Sequence, residues 1–278
     1  MILESRFHVM RYILLASLAL SDFLLLVLVN SFRIKSIAQE HWLYGQTMCY
    51  LSPFFVRYFY LNTVLHLVAV SYDRYLKIVK SPLTYDGTIT KTRVAFIALI
   101  WIIPVIPNSI GLFQGWGKYD YNPELFICEQ GWALDLQSGA ISKNRMSIFR
   151  PITTIIVPFL VILFLKRVTS RHINAIEVQV GGLVDAEISQ QQESVSRRLT
   201  DRKAAVDVTI IIAAFLVCFL PFWVTVTFRQ FVQGVDVSLE ADLSTTCILF
   251  LSAICNPMIY SIRKREFRNA VKKMFRRI

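Results

Sequence analysis

Six apolar blocks, each near the length that crosses a bilayer, decide what this chain can fold into: 12–32, 51–72, 94–113, 151–165, 204–228 and 243–262. A hydrocarbon core about 30 Å thick takes about 20 residues of helix to span. Lipid offers backbone groups no hydrogen-bond partners, so each block must satisfy its own, as a helix does. The predicted fold class is an all-α membrane protein, a bundle of six transmembrane helices. The share of hydrophobic residues, 55% at a mean hydropathy of +0.50, exceeds the roughly 45–50% of soluble domains. The fourth block is short, and Arg150 and Lys166 at its ends can snorkel to the interfaces.

The net charge is +11. In a soluble protein that excess would point to nucleic acid. Here 22 of the 30 Lys and Arg fall in 1–11, 73–93, 166–203 and 262–278, which are all on one side of a six-span chain. The positive-inside rule makes that side cytoplasmic and argues against a nucleic-acid partner. Both ends as written then lie inside, and the loop 114–149 lies outside. That loop holds five glycines and prolines between acids and reads as a structured lid. The inside loop 168–200 is polar, with a Gly181–Gly182 break, and is expected to be irregular between helix extensions. In the tail, Phe267, Val271, Met274 and Ile278 recur at helical spacing among basic residues. Residues 263–278 are therefore expected to form an amphipathic cytoplasmic helix on the inner leaflet.

Polar residues inside the blocks carry the chemistry. Asp22 sits mid-span, where a carboxylate is costly and must face the bundle interior. Asp73-Arg74-Tyr75 closes the second block and Asn256-Pro257-Met258-Ile259-Tyr260 the last. Pro221 should kink the fifth. Each is weak alone, and an Asp-Arg-Tyr tripeptide arises often by chance. Their order, each at a matching depth of a separate block, resembles the rhodopsin-like (class A) G-protein-coupled receptors from the second helix to the eighth. Residues 1–11 look like that family's first inside loop, so the resemblance begins without the first transmembrane helix.

The resemblance implies a plasma-membrane, multi-pass receptor with a cytoplasmic C-terminus. It would catalyse no covalent reaction and would carry an extracellular signal to a heterotrimeric G protein, with a receptor dimer possible. It implies a disulfide between Cys49 and Cys128, and matches Trp101, Pro158 and Phe267 to family positions. It also implies an activation switch of Asp73, Arg74, Tyr75, Asp201, Phe219, Pro221, Asn256, Pro257 and Tyr260, in which Arg74 pairs with Asp73 and reaches Asp201. Asp22, Thr63, Ser252 and Asn256 resemble the family's sodium ligands. A bundle-filling hydrogen-bond network is the alternative there.

Helical stripes stand beside the resemblance. Val56, Tyr60, Thr63, Leu67, Val70 and Arg74 share one face, and Asp201, Ala205, Val208, Ile212, Phe215, Phe219 and Phe222 another. Most members are packing residues, but packing does not explain Arg74 or Asp201. The expected ligand pocket is Val56, Arg57, Tyr60, Arg150, Phe222, Trp223, Arg229, Thr246 and Phe250. The family's amine receptors carry an aspartate seven residues after the first cysteine, where this chain has Val56. Three arginines at pocket depth suit an anionic small molecule or an acidic peptide. The alternative is that Arg150 and Arg229 snorkel while Arg57 pairs with a loop acid. Two further departures concern activation: Phe219 replaces a tryptophan, and Lys166 stands where it would repel Arg74. Two rival functions remain: a truncated, non-signalling receptor form that modulates full-length partners, and a six-span channel or transporter. No inverted repeat or arginine ladder supports the second. His66 is lone and expected to pack in the core rather than bind metal.

Overall fold

The computed structural model describes residues 10–80, 90–113, 118–123, 126–131, 156–181, 188–231 and 238–263. They form α1 (Met10–Leu25), α2 (Ser31–Gln39), α3 (Gly45–Tyr75), α4 (Lys91–Ile102), α5 (Val105–Phe113), β1 (Lys118–Asn122), β2 (Ile127–Gly131), α6 (Val157–Gly181), α7 (Ile188–Phe231) and α8 (Leu239–Arg263). Among them, four stretches are long and apolar enough to cross a membrane by length and composition: Ile13–Gln39, Gly45–Lys80, Lys91–Ser109 and Val206–Phe228. The blocks at 151–165 and 243–262 fall in α6 and α8, with 151–155 outside the described residues.

The helices outrun the apolar blocks. A π-helical turn, Leu26–Asn30, joins α1 to α2, and another, Leu76–Lys80, prolongs α3. The block at 94–113 is two helices, because Pro104 cannot donate to the ladder and breaks it. The loop expected at 168–200 is mostly helix, with α6 reaching Gly181 and α7 starting at Ile188; 182–187 lie outside the described residues. The tail helix expected at 263–278 also falls outside them, apart from Arg263. Glu40 ends α2 in the left-handed region at φ 57°, and Gly45 opens α3 at φ 70°. The Trp42 indole donates to the Gly45 carbonyl at 2.7 Å and stitches the bend.

α3 is the hub, packing against α1, α4, α5, α6, α7 and the hairpin, while α7 and α8 pack most extensively on each other. The main core joins Leu18 of α1, Leu67 of α3, Ile162 of α6, Phe215 of α7 and Leu249 of α8. Phe159, Phe215 and Phe219 stack along it, with centroids 6.1 Å and 5.2 Å apart. The pattern is the reverse of a water-soluble domain. Phe23, Ile34, Ile106, Phe164 and Val217 lie exposed, whereas Asp22, Asn62, His66, Asp73, Arg74 and Asp242 are buried. Exposed apolar faces around a polar interior suit a bundle whose solvent is lipid.

Candidate functional site

One end of the bundle is capped by the hairpin. β1 and β2 pair antiparallel, with Tyr121 opposite Cys128. Cys128 is disulfide-bonded to Cys49 in the first turns of α3, as the resemblance implied. The Trp42 and Tyr121 rings approach to 6.4 Å, and burial pushes the Tyr121 phenol above its ordinary value.

Beneath this cap lie the expected pocket residues Val56, Arg57, Tyr60, Phe222, Trp223, Thr246 and Phe250, from α3, α7 and α8. The Tyr60 ring meets Phe219 edge-on at 5.7 Å and Phe222 at 6.1 Å. Arg150 falls outside the described residues. Arg229 lies in α7, but its side chain is not among those described.

Among the described residues near this end, Arg33 is brought inward. Its Nη2 meets Asp242 Oδ2 at 2.6 Å, and its Nη1 donates to Thr246 Oγ1 at 3.0 Å. The two side chains are 12% and 1% exposed. This pair joins α2 to α8, and neither residue stood among the sequence candidates. A signal existed. Arg33 lies eleven residues past Asp22, three helical turns, and Asp242 four residues before Thr246.

Mid-bundle, Thr63 donates to Asp22 Oδ1 at 3.3 Å. Ser252 is buried, and its hydroxyl donates to the Leu249 carbonyl at 2.7 Å. The Asn256, Pro257 and Tyr260 side chains are not among those described. Among the described residues, the buried Ser21 hydroxyl has no hydrogen-bond partner. A carboxylate beside hydroxyl oxygens is a donor set that suits a hard cation such as sodium.

His66 is fully buried and belongs to a chain of bonds across three helices. Trp101 Nε1 donates to Ser17 Oγ at 2.9 Å, and Ser17 lies 2.8 Å from His66 Nε2. His66 Nδ1 lies 2.8 Å from the Asn62 carbonyl. That carbonyl can only accept, so Nδ1 carries the proton and Nε2 accepts from Ser17. Asn62 in turn donates to the Ile100 carbonyl at 3.2 Å.

At the far end, Arg74 and Asp73 form an ion pair at 3.4 Å, both buried. Tyr75 ends α3 and stacks on Tyr72 at 6.3 Å. Asp201 lies in α7 with its side chain not described. Asp207, one of the buried polar residues, adds a carboxylate on the same stretch of α7. Lys166 lies on the exposed face of α6, while Leu165 and Thr169 beside it face inward.

Residues 1–260 match the sequence profile of the family described as "7 transmembrane receptor (rhodopsin family)". The chain belongs to the rhodopsin family of seven-transmembrane receptors. That assignment makes it a multi-pass membrane receptor rather than an enzyme, and sets aside the channel or transporter reading. The receptor is similar to rat 5-hydroxytryptamine receptor 4, at 24% identity over 92% of this chain and 65% of that one. It is also similar to octopamine receptor beta-2R of Chilo suppressalis, at 26% identity over 92% and 69%. Mouse trace amine-associated receptor 9 is 28% identical over 95% and 75%. The receptor thus spans about two thirds of the length of the first of these relatives. Squid rhodopsin shares the fold, with a TM-score of 0.83 at 20% identity over 98% of this chain and 77% of that one.

Proposed function

We propose that this receptor carries the signal of an extracellular ligand, bound beneath the disulfide-anchored hairpin, to a heterotrimeric G protein at the cytoplasmic Arg74 end in the plasma membrane. The observation that carries the reading is the polar axis of α3. Half-buried Tyr60, buried Thr63, which donates to Asp22 of α1, and buried Arg74, which pairs with Asp73, lie along one face of α3, so one helix touches both ends. A buried ion pair at one end of such a helix favours one packing of a bistable bundle. A ligand shifts the balance only by its differential affinity for the two packings.

Arg33 and Arg57 at pocket depth support a ligand with an acidic group, and Asp22, Thr63, Ser252 and Asn256 would hold a sodium ion. The test is G-protein nucleotide exchange in membranes bearing the receptor. Asp73→Asn should raise basal exchange several-fold, and Arg74→Ala should abolish it at equal surface expression. Unchanged exchange in both variants would sink the reading.

A further inference from the structure

We propose that the Arg33–Asp242 pair is the polar anchor for a zwitterionic ligand, an aromatic amino acid or a close relative, which binds by exchanging charge partners with the pair. This rests on the receptor reading above and names the ligand class of that site.

The pair is joined at 2.6 Å with the carboxylate 1% exposed. A ligand bearing only an ammonium would claim Asp242 and strand the Arg33 guanidinium. One bearing only a carboxylate would claim Arg33 and take from Asp242 its 2.6 Å ion-pair partner. Leaving a buried charge without its partner costs affinity by about 30-fold or more. A zwitterion presents both charges, so its carboxylate can meet Arg33 while its ammonium meets Asp242, and the site stays neutral throughout.

Two further atoms point the same way. Among the described residues, Arg33 Nε is buried without a hydrogen-bond partner, and so is the Tyr60 hydroxyl. That hydroxyl lies within electrostatic reach of Arg33. Buried donors are nearly always satisfied, so a spare guanidinium N–H and a spare hydroxyl each call for an acceptor. A carboxylate supplies two oxygens in the geometry that a guanidinium edge prefers. The described α3 side chains at this depth, Val56, Arg57 and Tyr60, include no acid, and Asp22, also within electrostatic reach of Tyr60, accepts from Thr63, so the ammonium falls to Asp242. Tyr60, Phe222 and Trp223 supply aromatic walls for an aromatic side chain.

The experiment is ligand-dependent thermal unfolding of the purified receptor in lipid nanodiscs, which needs no G protein. The probes are L-phenylalanine, L-tyrosine and L-tryptophan, each beside its decarboxylated amine and its deaminated acid. At least one amino acid should raise the unfolding midpoint at a concentration about 30-fold below its amine and its acid. Arg33→Gln and Asp242→Asn should each lose that advantage. Arg33→Met/Asp242→Leu removes both charges together, which keeps the fold available, and should not respond to the zwitterion. Equal shifts from amine or acid, a response retained by the double variant, or no shift from any probe at millimolar concentration would each overturn the proposal. Normal Arg74-dependent exchange with no probe shift overturns this inference alone. A selective shift with no exchange overturns only the signalling reading.

Discussion

Arg33 in α2 and Asp242 in α8 meet in a buried ion pair at 2.6 Å, and Thr246 accepts from the same guanidinium one turn further along α8. Removing one member of such a pair leaves an uncompensated charge and costs about 3–5 kcal/mol, whereas replacing both with apolar residues is often neutral. Arg33→Gln and Asp242→Asn should each lower the ligand-free thermal midpoint markedly, and Arg33→Met/Asp242→Leu should lower it less than either. Additive losses in that cycle would show that the two charges do not act as a pair.

Ser17 sits between Trp101 and His66, accepting from one and donating to the other. Ser17→Ala would leave a buried indole N–H and a ring nitrogen unsatisfied, at about 1–3 kcal/mol for each. Thermal unfolding should show a loss well beyond that of a surface Ser→Ala. A change no larger than the surface control would mean that water replaces the hydroxyl.

Phe219 joins the Phe159–Phe215 stack to Tyr60 and so links the core to the pocket. Phe219→Ala should cost about 3–5 kcal/mol through the cavity it leaves. Phe219→Leu should recover much of the stability while lowering agonist-stimulated nucleotide exchange, because the edge contact with Tyr60 is lost. Full exchange in Phe219→Leu would remove that ring from the switch.

Asp22 with Thr63 offers oxygen donors to a cation. Sodium chloride should raise the thermal midpoint above that in N-methylglucamine chloride, and Asp22→Asn should erase the difference. A parent indifferent to the cation would make this cluster a hydrogen-bond network only.

The cysteine bridge closes 79 residues of separation between Cys49 and Cys128. Chain-entropy arguments give a loop of that length about 4–5 kcal/mol. Cys128→Ser should therefore reduce cell-surface receptor and free the hairpin to limited proteolysis. Unchanged cleavage would show that the hairpin is held by packing on α3 instead.

A charge stranded inside an apolar block was legible from the sequence: Asp22 announces itself because hydrocarbon penalises it. Arg74, just past the end of 51–72, was marked by the Asp73-Arg74-Tyr75 motif and by the apolar stripe that it ends. Arg33 and Asp242 were hidden by the same hydropathy. A charge lowers the local average and marks the edge of its own block, so 12–32 stops one residue before Arg33 and 243–262 starts one residue after Asp242. Helical phase kept the information that hydropathy discarded, since both residues continue buried stripes. The Ser17–His66–Trp101 chain joins residues 49 and 84 positions apart, and no local pattern encodes such a meeting. Pro104 was visible, but whether it would bend a helix or split it depends on what packs around it.

α7 runs for 44 residues, with Pro221 near one end. At 1.5 Å per residue, the arm from Pro221 to Ile188 is about 50 Å long, so a swing of about 10° there carries its tip about 9 Å. The short arm beyond the proline bears Phe222 and Trp223 and travels only a small fraction of that. A pivot at Pro221 would therefore turn a displacement of ångström size beneath the hairpin into a far larger one at the Ile188 end.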